Sequence, residues 1–220
     1  YSTVWGNRFV TRSLSNSQGV DGFAQFKNID VVHNGIEVES SWNPFDNLRF
    51  KGMLSIGDWR YTKDFEAELF DDNQQSIGTG TLYLKDAKVG DAAQFVSYLE
   101  ADYRLGSKLN VDLGYRFVDN LYADYSITDS EFTQPDNAGA LKLPSYGLLD
   151  LGTTLRFNLF GNDATFRVNI NNLLDTTYIA ESNSNIHADA SSTTWNGVDT
   201  RNYVWFGFGR TWNASLKYRF

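Results

Sequence analysis

The chain has 220 residues, of which 27 are Asp or Glu and 19 are Lys or Arg, and the net charge of −8 argues against binding to nucleic acid. It contains no cysteine, which excludes a disulfide scaffold, a thiolate zinc site and a cysteine nucleophile. The mean hydropathy is −0.40, and no apolar run approaches the roughly 20 residues of a membrane helix, so a helical membrane protein is excluded but a membrane β-barrel is not.

Apolar and polar residues alternate along eight segments, a period that places them on opposite faces of a strand. In chain order these segments are about 3–11, 32–42, 48–56, 95–104, 109–117, 149–158, 164–171 and 211–220. The last is the clearest, with Trp212 and Leu216 on one face and Asn213 and Lys217 on the other. Most of the segments, at about 9–12 residues, are long enough to cross a bilayer at a tilt.

Short and long connections alternate between these segments. Tight turns are predicted at 43–47, 105–107 and 160–163, and long polar stretches at about 12–30, 60–92, 119–145 and 176–208. An outer-membrane barrel has this arrangement, with short turns towards the periplasm and long loops outside. We therefore predict an all-β fold, an antiparallel transmembrane β-barrel.

A secreted β-sandwich or a lipocalin-like barrel would also show alternation. The polar face, however, carries too many charges for the exterior of one small barrel with such an apolar interior. These charges, which suit a lumen filled with water or protein, are Arg49, Lys51, Glu100, Asp102, Arg104, Asp112, Arg116, Asp150, Arg156, Arg167 and Lys217.

Three segments resemble the C-terminal end of TonB-dependent outer-membrane receptors. Residues 167–178 contain Asn172-Leu173-Leu174-Asp175, similar to the family's Asn-Leu-Phe-Asp core, with Leu174 in place of the usual Phe. Residues 209–220 resemble the closing strand, with its Arg-Thr pair and terminal Tyr-Arg-Phe, and residues 143–151 resemble a strand that begins with Pro-x-Tyr. Residues 35–39 also fit the family's Gly-(Ile/Val)-Glu-x-Glu strand.

The resemblance implies a 22-stranded plugged barrel, of which residues 1–220 would be the C-terminal eight strands or so. The plug domain and the TonB box would then lie upstream of this chain. The implied function is energised uptake of a scarce small molecule of the siderophore, metal-chelate or vitamin class. A passive porin-like channel and a small self-contained structural or adhesive barrel remain the alternatives.

The implied location is the outer membrane of a Gram-negative bacterium, with outer-membrane lipid and the TonB energy-coupling complex as partners. Phe220 shares the apolar face of the last segment, and outer-membrane barrels commonly end on such a Phe. We therefore expect Phe220 to act as a signal to the outer-membrane assembly machinery.

Aromatic side chains in the long connections are the candidate ligand contacts, because they can stack on a flat ligand or a sugar face. With one histidine, they are Tyr122, Tyr125, His187, Trp195, Tyr203 and Trp205. Aromatic residues near a strand, such as Tyr203 and Trp205, also form girdles at the membrane interface. His187 is the single loop histidine that haem uptake could use.

Catalytic motifs are missing from the sequence: there is no Gly-x-Ser-x-Gly elbow, P-loop or dinucleotide fingerprint. His33, beside Asp30 and Glu37, is the single residue that a hydrolytic site could use. The loop carboxylates around Asp71 and Asp119 lack the spacing of a calcium loop. We expect no enzyme activity, no metal site and no cofactor.

Overall fold

The computed structural model describes residues 1–15, 21–127 and 129–220. Over these ranges the strands are β1 Ser2–Ser15, β2 Asp21–Phe45, β3 Leu48–Tyr61, β4 Phe65–Asp71, β5 Ser76–Leu82, β6 Ala93–Leu105, β7 Leu109–Leu121, β8 Tyr146–Leu159, β9 Asn162–Asn171, β10 Ile179–Ser182, β11 Thr194–Trp195, β12 Val198–Asp199, β13 Val204–Phe206 and β14 Thr211–Tyr218. A single turn of 3₁₀ helix spans Ser130–Thr133. No helix within the described ranges is long and apolar enough to cross a membrane.

Ten of the described strands form one antiparallel sheet in the order β14-β9-β8-β7-β6-β3-β2-β4-β5, with β1 also paired to β2. All eight predicted segments are strands of this sheet, namely β1, β2, β3, β6, β7, β8, β9 and β14. The prediction of an antiparallel all-β fold is confirmed. The described sheet is open. Strand β14 pairs with β9 and strand β1 pairs with β2, but β1 and β14 do not pair with each other.

The two faces of the sheet differ in chemistry as the alternation predicts. One face, here called the apolar face, exposes large hydrophobic side chains to the surroundings. They include Ile36, Val38, Trp42, Leu54, Ile56, Leu99, Tyr103, Leu113, Tyr115, Leu155, Phe166, Trp212 and Leu216. Residues between them point to the opposite, polar face, on which cross-strand partners such as Lys51 and Glu100 meet.

Two stretches predicted as long loops are largely strand. β1 and β2 run through most of 12–30, of which residues 16–20 lie outside the described residues. Asn28 adopts a left-handed φ of 58°, and the register with β1 shifts nearby, so the buried positions change from Ala24 and Phe26 to Ile29 and Val31. This bulge breaks the period of two and conceals the strand from a pattern search.

The predicted loop 60–92 contains the hairpin β4–β5. β4 pairs with Gly22–Phe26 and so continues, beyond the end of β3, along the same edge of β2. Asp71 closes the hairpin by accepting hydrogen bonds from the backbone N–H groups of Asn73 and Gln75, at 2.9 and 2.8 Å. β2 thus has 25 residues, about 80 Å at 3.3 Å per residue, far more than a bilayer requires.

Two hydrophobic cores form at the end of the sheet that carries the long connections. The first core consists of Ala24, Phe26, Ile29, Val31, Tyr61, Phe65, Ala67, Leu82, Leu84, Ala87 and Phe132. The second core consists of Leu121, Ala123, Leu141, Leu143, Ile179 and Val198. Each core draws on more than one connection, so the connections fold together.

Candidate functional site

The connections 62–92, 122–145 and 172–210 form a continuous outer layer above the sheet. Tyr125 links the first two, because its hydroxyl donates to the backbone oxygen of Lys88 at 2.6 Å and its ring lies 4.9 Å from that of Phe132. The backbone N–H of Tyr83 donates to the oxygen of Phe132 at 2.7 Å. Burial raises the pKa of Tyr125 above its usual range, so the phenol stays protonated and keeps donating this bond.

Asn185 joins the second and third connections. Its amide oxygen accepts the backbone N–H of Leu141 at 2.6 Å, and its amide nitrogen donates to Glu131 at 2.7 Å and to the oxygen of Gly139 at 2.8 Å. Asn185 is buried, so removal of its amide would leave the N–H of Leu141 without this partner, whereas the oxygen of Gly139 also lies 3.0 Å from His187 Nε2. Burial also raises the pKa of Glu131 above its usual value.

Asp199 organises the tip of the third connection. The buried carboxylate accepts Ser192 Oγ at 2.5 Å, the backbone N–H of Arg201 at 2.8 Å and Arg201 Nη2 at 2.7 Å. The hydrogen bonds from Arg201, and then that from Ser192, hold the pKa of Asp199 far below its usual range. Nearby, buried Asn202 donates to the backbone oxygens of Ile186 and Asp199.

Residues 167–178, which carry one of the resemblances described above, connect β9 with β14 and are here called the Asn172 clamp. Buried Asn172 donates to the backbone oxygens of Thr176 and Phe208, and its own N–H donates to Asp150. Asp175 accepts the backbone N–H of Arg210 at 2.7 Å. The motif therefore fixes where the third connection leaves the sheet and where it returns.

Among the described residues, the polar face carries two ion pairs across strands. Lys51 Nζ lies 2.6 Å from Glu100 Oε1, and Tyr98 donates its hydroxyl to the other oxygen of Glu100 at 2.8 Å. Arg167 makes a bidentate contact to Asp112 at 2.9 and 3.0 Å. Strand positions alone put these residues on one face, as the sequence predicts.

The predicted ligand contacts of the second connection occupy different environments. Tyr125 packs against the first core and uses its hydroxyl internally, so a ligand would have to displace these contacts. Tyr122 is half-buried, bridges to Lys142 and accepts the backbone N–H of Asp91 at its carbonyl. The two tyrosines are close in sequence, but only Tyr125 belongs to a packed cluster.

The predicted contacts of the third connection are likewise divided. Trp195 packs on the second core, with its ring 5.1 Å from Phe206 in an edge-to-face contact, beside a cavity of about 120 Å³. His187 Nε2 lies 3.0 Å from the oxygen of Gly139. Tyr203 and Trp205, by contrast, are 77% and 50% exposed and present their rings to the outside. The structure thus does not gather all six residues into one pocket.

Other predicted features have clear positions. Phe220 is fully exposed beyond the end of β14, and its ring lies 6.2 Å from that of Tyr218. Asp119 pairs with Lys142 at 2.9 Å, so this carboxylate is engaged in the outer layer. No group of His, Asp and Glu within the described ranges is arranged to hold a metal ion.

The sequence did not reveal two features of this end of the molecule. His33 lies between Trp5 and Trp59 on the polar face, at ring distances of 5.8 and 5.3 Å, and Trp59 donates its indole N–H to Tyr1. In the sequence, Asn185 looks like any polar loop residue. It becomes a buried link between the second and third connections only when the outer layer folds. Cross-strand pairing could have suggested the first feature, but nothing in the sequence marks the second.

Comparison with known proteins supports the fold and the resemblance together. The family model described as TonB dependent receptor-like, beta-barrel, matches residues 3–173. No curated protein matches the chain significantly. The match extends from β1 to the start of the Asn172 clamp, so it covers most of the sheet. The chain therefore belongs to the TonB-dependent receptor-like β-barrel family, a family of receptors in the outer membrane of Gram-negative bacteria.

Proposed function

We propose that this chain is the C-terminal part of the barrel of an energised receptor that imports a scarce small molecule. The observation that carries the proposal is the interlocked outer layer above a charged polar face. A prefolded layer pays little ordering entropy when it binds a ligand, which favours high affinity for a dilute cargo. A passive channel needs no such layer.

In this proposal the polar face lines the lumen and the plug domain fills it, with the TonB box on the upstream part of the protein. The cargo is of the siderophore, metal-chelate or vitamin class. Exposed Tyr203 and Trp205 offer rings for its capture, and Tyr122, Trp195 and His187 belong to the same layer. Tyr125 contributes indirectly, by holding the first two connections together.

The test uses the full-length receptor and a defined panel of a ferric catecholate, a ferric hydroxamate and cobalamin. Binding is measured by quenching of tryptophan fluorescence, and accumulation of the labelled compounds is measured in cells with and without TonB. We expect one panel compound to bind and to accumulate only when TonB is present. Equal accumulation in both strains would instead identify a passive channel, and failure of all three compounds to bind would exclude this cargo class.

A further inference from the structure

The β4–β5 hairpin presents an open strand edge in the outer layer. β5 pairs with β4 on one side and stands above β6, because β4 continues the position of β3 beside β2. The other edge of β5 faces the space above β7, where this chain places its own connection 122–145. Further strands of a barrel would join the sheet at β1 and β14, so they would not lie beside this edge.

Tyr83, one residue beyond β5, shows which backbone groups point to this edge. Its N–H donates to the oxygen of Phe132 at 2.7 Å, and its own oxygen accepts the side-chain amide of Asn137 at 3.0 Å. Because the direction of these groups alternates along a strand, the N–H and C=O groups of Thr81 and Thr79 point the same way. Within the described ranges neither threonine has a hydrogen-bond partner on this side. The second connection thus occupies the edge at Tyr83 and leaves the next two positions open.

Charge and proline, which commonly protect an exposed edge strand, are missing from this one. Residues 73–84 contain no charged residue and no proline. Ile77 and Thr79 are exposed, and the register shift of the hairpin falls at Phe70, nearer to its tip. An edge of this kind favours the addition of a strand from another polypeptide, whose backbone supplies the matching donors and acceptors.

The side chains of the hairpin determine which strand fits best. Residues 64–84 contain no basic residue and five acidic ones, namely Asp64, Glu66, Glu68, Asp71 and Asp72. Glu66 and Glu68 are exposed and lie opposite Thr81 and Thr79, on the face that points away from the first core. They form an acidic row next to the open edge, and an added strand with cationic side chains on that face complements it.

The distance from the open edge to this row suits long side chains. An added strand would lie two strand positions from β4, about 10 Å. The same separation is spanned elsewhere in this sheet, where Arg167 on β9 contacts Asp112 on β7 at 2.9 Å. Lys and Arg side chains of an added strand can therefore reach the carboxylates of β4.

We propose that the open edge of β5 binds an extended cationic segment of another polypeptide at the cell surface. The segment adds to the sheet through hydrogen bonds to the backbone groups of Thr79 and Thr81, and its Lys or Arg side chains face Glu66 and Glu68. The inference shares with the proposed function the outward orientation of the long connections. It does not depend on the cargo or on energised transport.

Binding of a synthetic peptide to the full-length receptor tests the proposal. The probe is the capped, fluorescein-labelled peptide Thr-Lys-Val-Lys-Val-Lys-Thr, and its binding is measured by fluorescence anisotropy. One matched peptide has Glu in place of each Lys. The other is methylated at every backbone nitrogen, so it keeps the charge but donates no backbone hydrogen bond. We expect the probe to bind and both matched peptides to bind at least tenfold more weakly.

Variants of the receptor locate the contact. Thr79→Pro removes the outward N–H without removing a bond to β4 and should weaken binding of the probe at least tenfold, whereas Thr79→Val keeps the N–H and serves as the control. The double variant Glu66→Gln, Glu68→Gln should weaken binding at least fivefold. Its control, Asp46→Asn with Asp163→Asn, removes two exposed carboxylates near the tight turns and should leave binding unchanged.

Heat-modifiable mobility on gels checks that each variant assembles. If Thr79→Pro does not assemble, the methylated peptide decides whether backbone hydrogen bonds make the contact. Its binding does not require any change in the receptor, so this arm is independent of folding.

Several outcomes would overturn the inference. Failure of the probe to bind would show that another part of the receptor closes the edge. Equal binding of the methylated peptide would exclude strand pairing, and equal binding of the Glu peptide would exclude selection for cations. Self-association of the receptor that Thr79→Pro abolishes would make a second copy the occupant. Uptake that requires TonB without binding of the probe would reject only this inference, and binding of the probe with TonB-independent uptake would reject only the proposed function.

Discussion

Arg167 on β9 reaches Asp112 on β7 across the intervening strand β8, and the gap it passes through is Gly152. Gly152 pairs with Asp112 on one side and with Asn169 on the other. A Cβ atom there would lie 2.0 Å from Asp112 Oδ2 and 2.7 Å from Arg167 Nη2. Because Gly152 has no side chain, an ion pair can form between β7 and β9, which are not neighbours in the sheet.

The first prediction concerns this gap. Gly152→Ala should separate Arg167 from Asp112 and destabilise the barrel by about 1–3 kcal/mol, the usual cost of overpacking. The measurement is the midpoint of heat-induced mobility change of the full-length receptor on gels. Gly80→Ala is the control, because its added Cβ would meet only Leu69 at 3.6 Å. A midpoint equal to that of the control would show that the pair does not depend on Gly152.

The second prediction concerns the link between the second and third connections. Asn185→Ala leaves the N–H of buried Leu141 without its partner, at a cost of about 2–3 kcal/mol, whereas the oxygen of Gly139 keeps its contact with His187 Nε2. Hydrogen exchange of the amides around Leu141 should accelerate about 30- to 150-fold. Asn183→Ala, at an exposed position two residues away, should leave the exchange unchanged.

The third prediction is a dependence of the outer layer on pH. Because the pKa of Asp199 is depressed in the folded protein, its contribution to stability is complete above the unfolded pKa of about 4. That contribution is lost as the pH falls below 4 towards the folded pKa. Hydrogen exchange of Arg201 and Asn202 should therefore accelerate below pH 4 after correction for the intrinsic pH dependence of exchange.

A variant isolates this carboxylate. Asp199→Asn should show faster exchange already at pH 7 and lose the additional acceleration below pH 4. Asp136→Asn, at an exposed carboxylate, should behave as the unmodified protein does. An unchanged acid response in Asp199→Asn would assign the pH dependence to another group.

The fourth prediction separates binding from packing among the loop aromatics. Tyr203→Ala should weaken binding of the panel compound that the receptor takes up by about tenfold, the loss of one stacked ring, with no change in loop exchange. Trp195→Ala should destabilise the second core by about 1–2 kcal/mol and accelerate exchange as well. If Tyr203→Ala and the unmodified receptor bind the compound with equal affinity, Tyr203 is not a ligand contact, and its role is that of an aromatic residue at the membrane interface.

The sequence predicts the sheet well because the period of two survives wherever one face is apolar. β14 follows this rule throughout and β7 follows it from Leu109 to Phe117, and their pairing partners agree with it. The rule failed for the upper part of β2, because the bulge at Asn28 reverses which positions are buried. A single residue with positive φ is enough to hide ten residues of strand from such a search.

The site is less predictable than the sheet for a different reason. Tyr125 and Tyr203 are both aromatic residues in polar stretches, yet one is packed in a core and the other is 77% exposed. Which of these occurs depends on contacts between connections far apart in the chain, such as that of Tyr125 with Lys88. The sequence supplies the candidates, whereas tertiary packing assigns their roles.

In a receptor with the proposed orientation, the shared hydrogen bonds of the outer layer also determine what the cell surface presents to antibodies and phages. Asn185 and Tyr125 join the three connections into one surface. An epitope on this surface is therefore discontinuous, because it is made of segments that are distant in sequence. A linear peptide copied from one connection lacks the neighbours that shape it. Insertions in any of the three connections must therefore be accommodated by the other two.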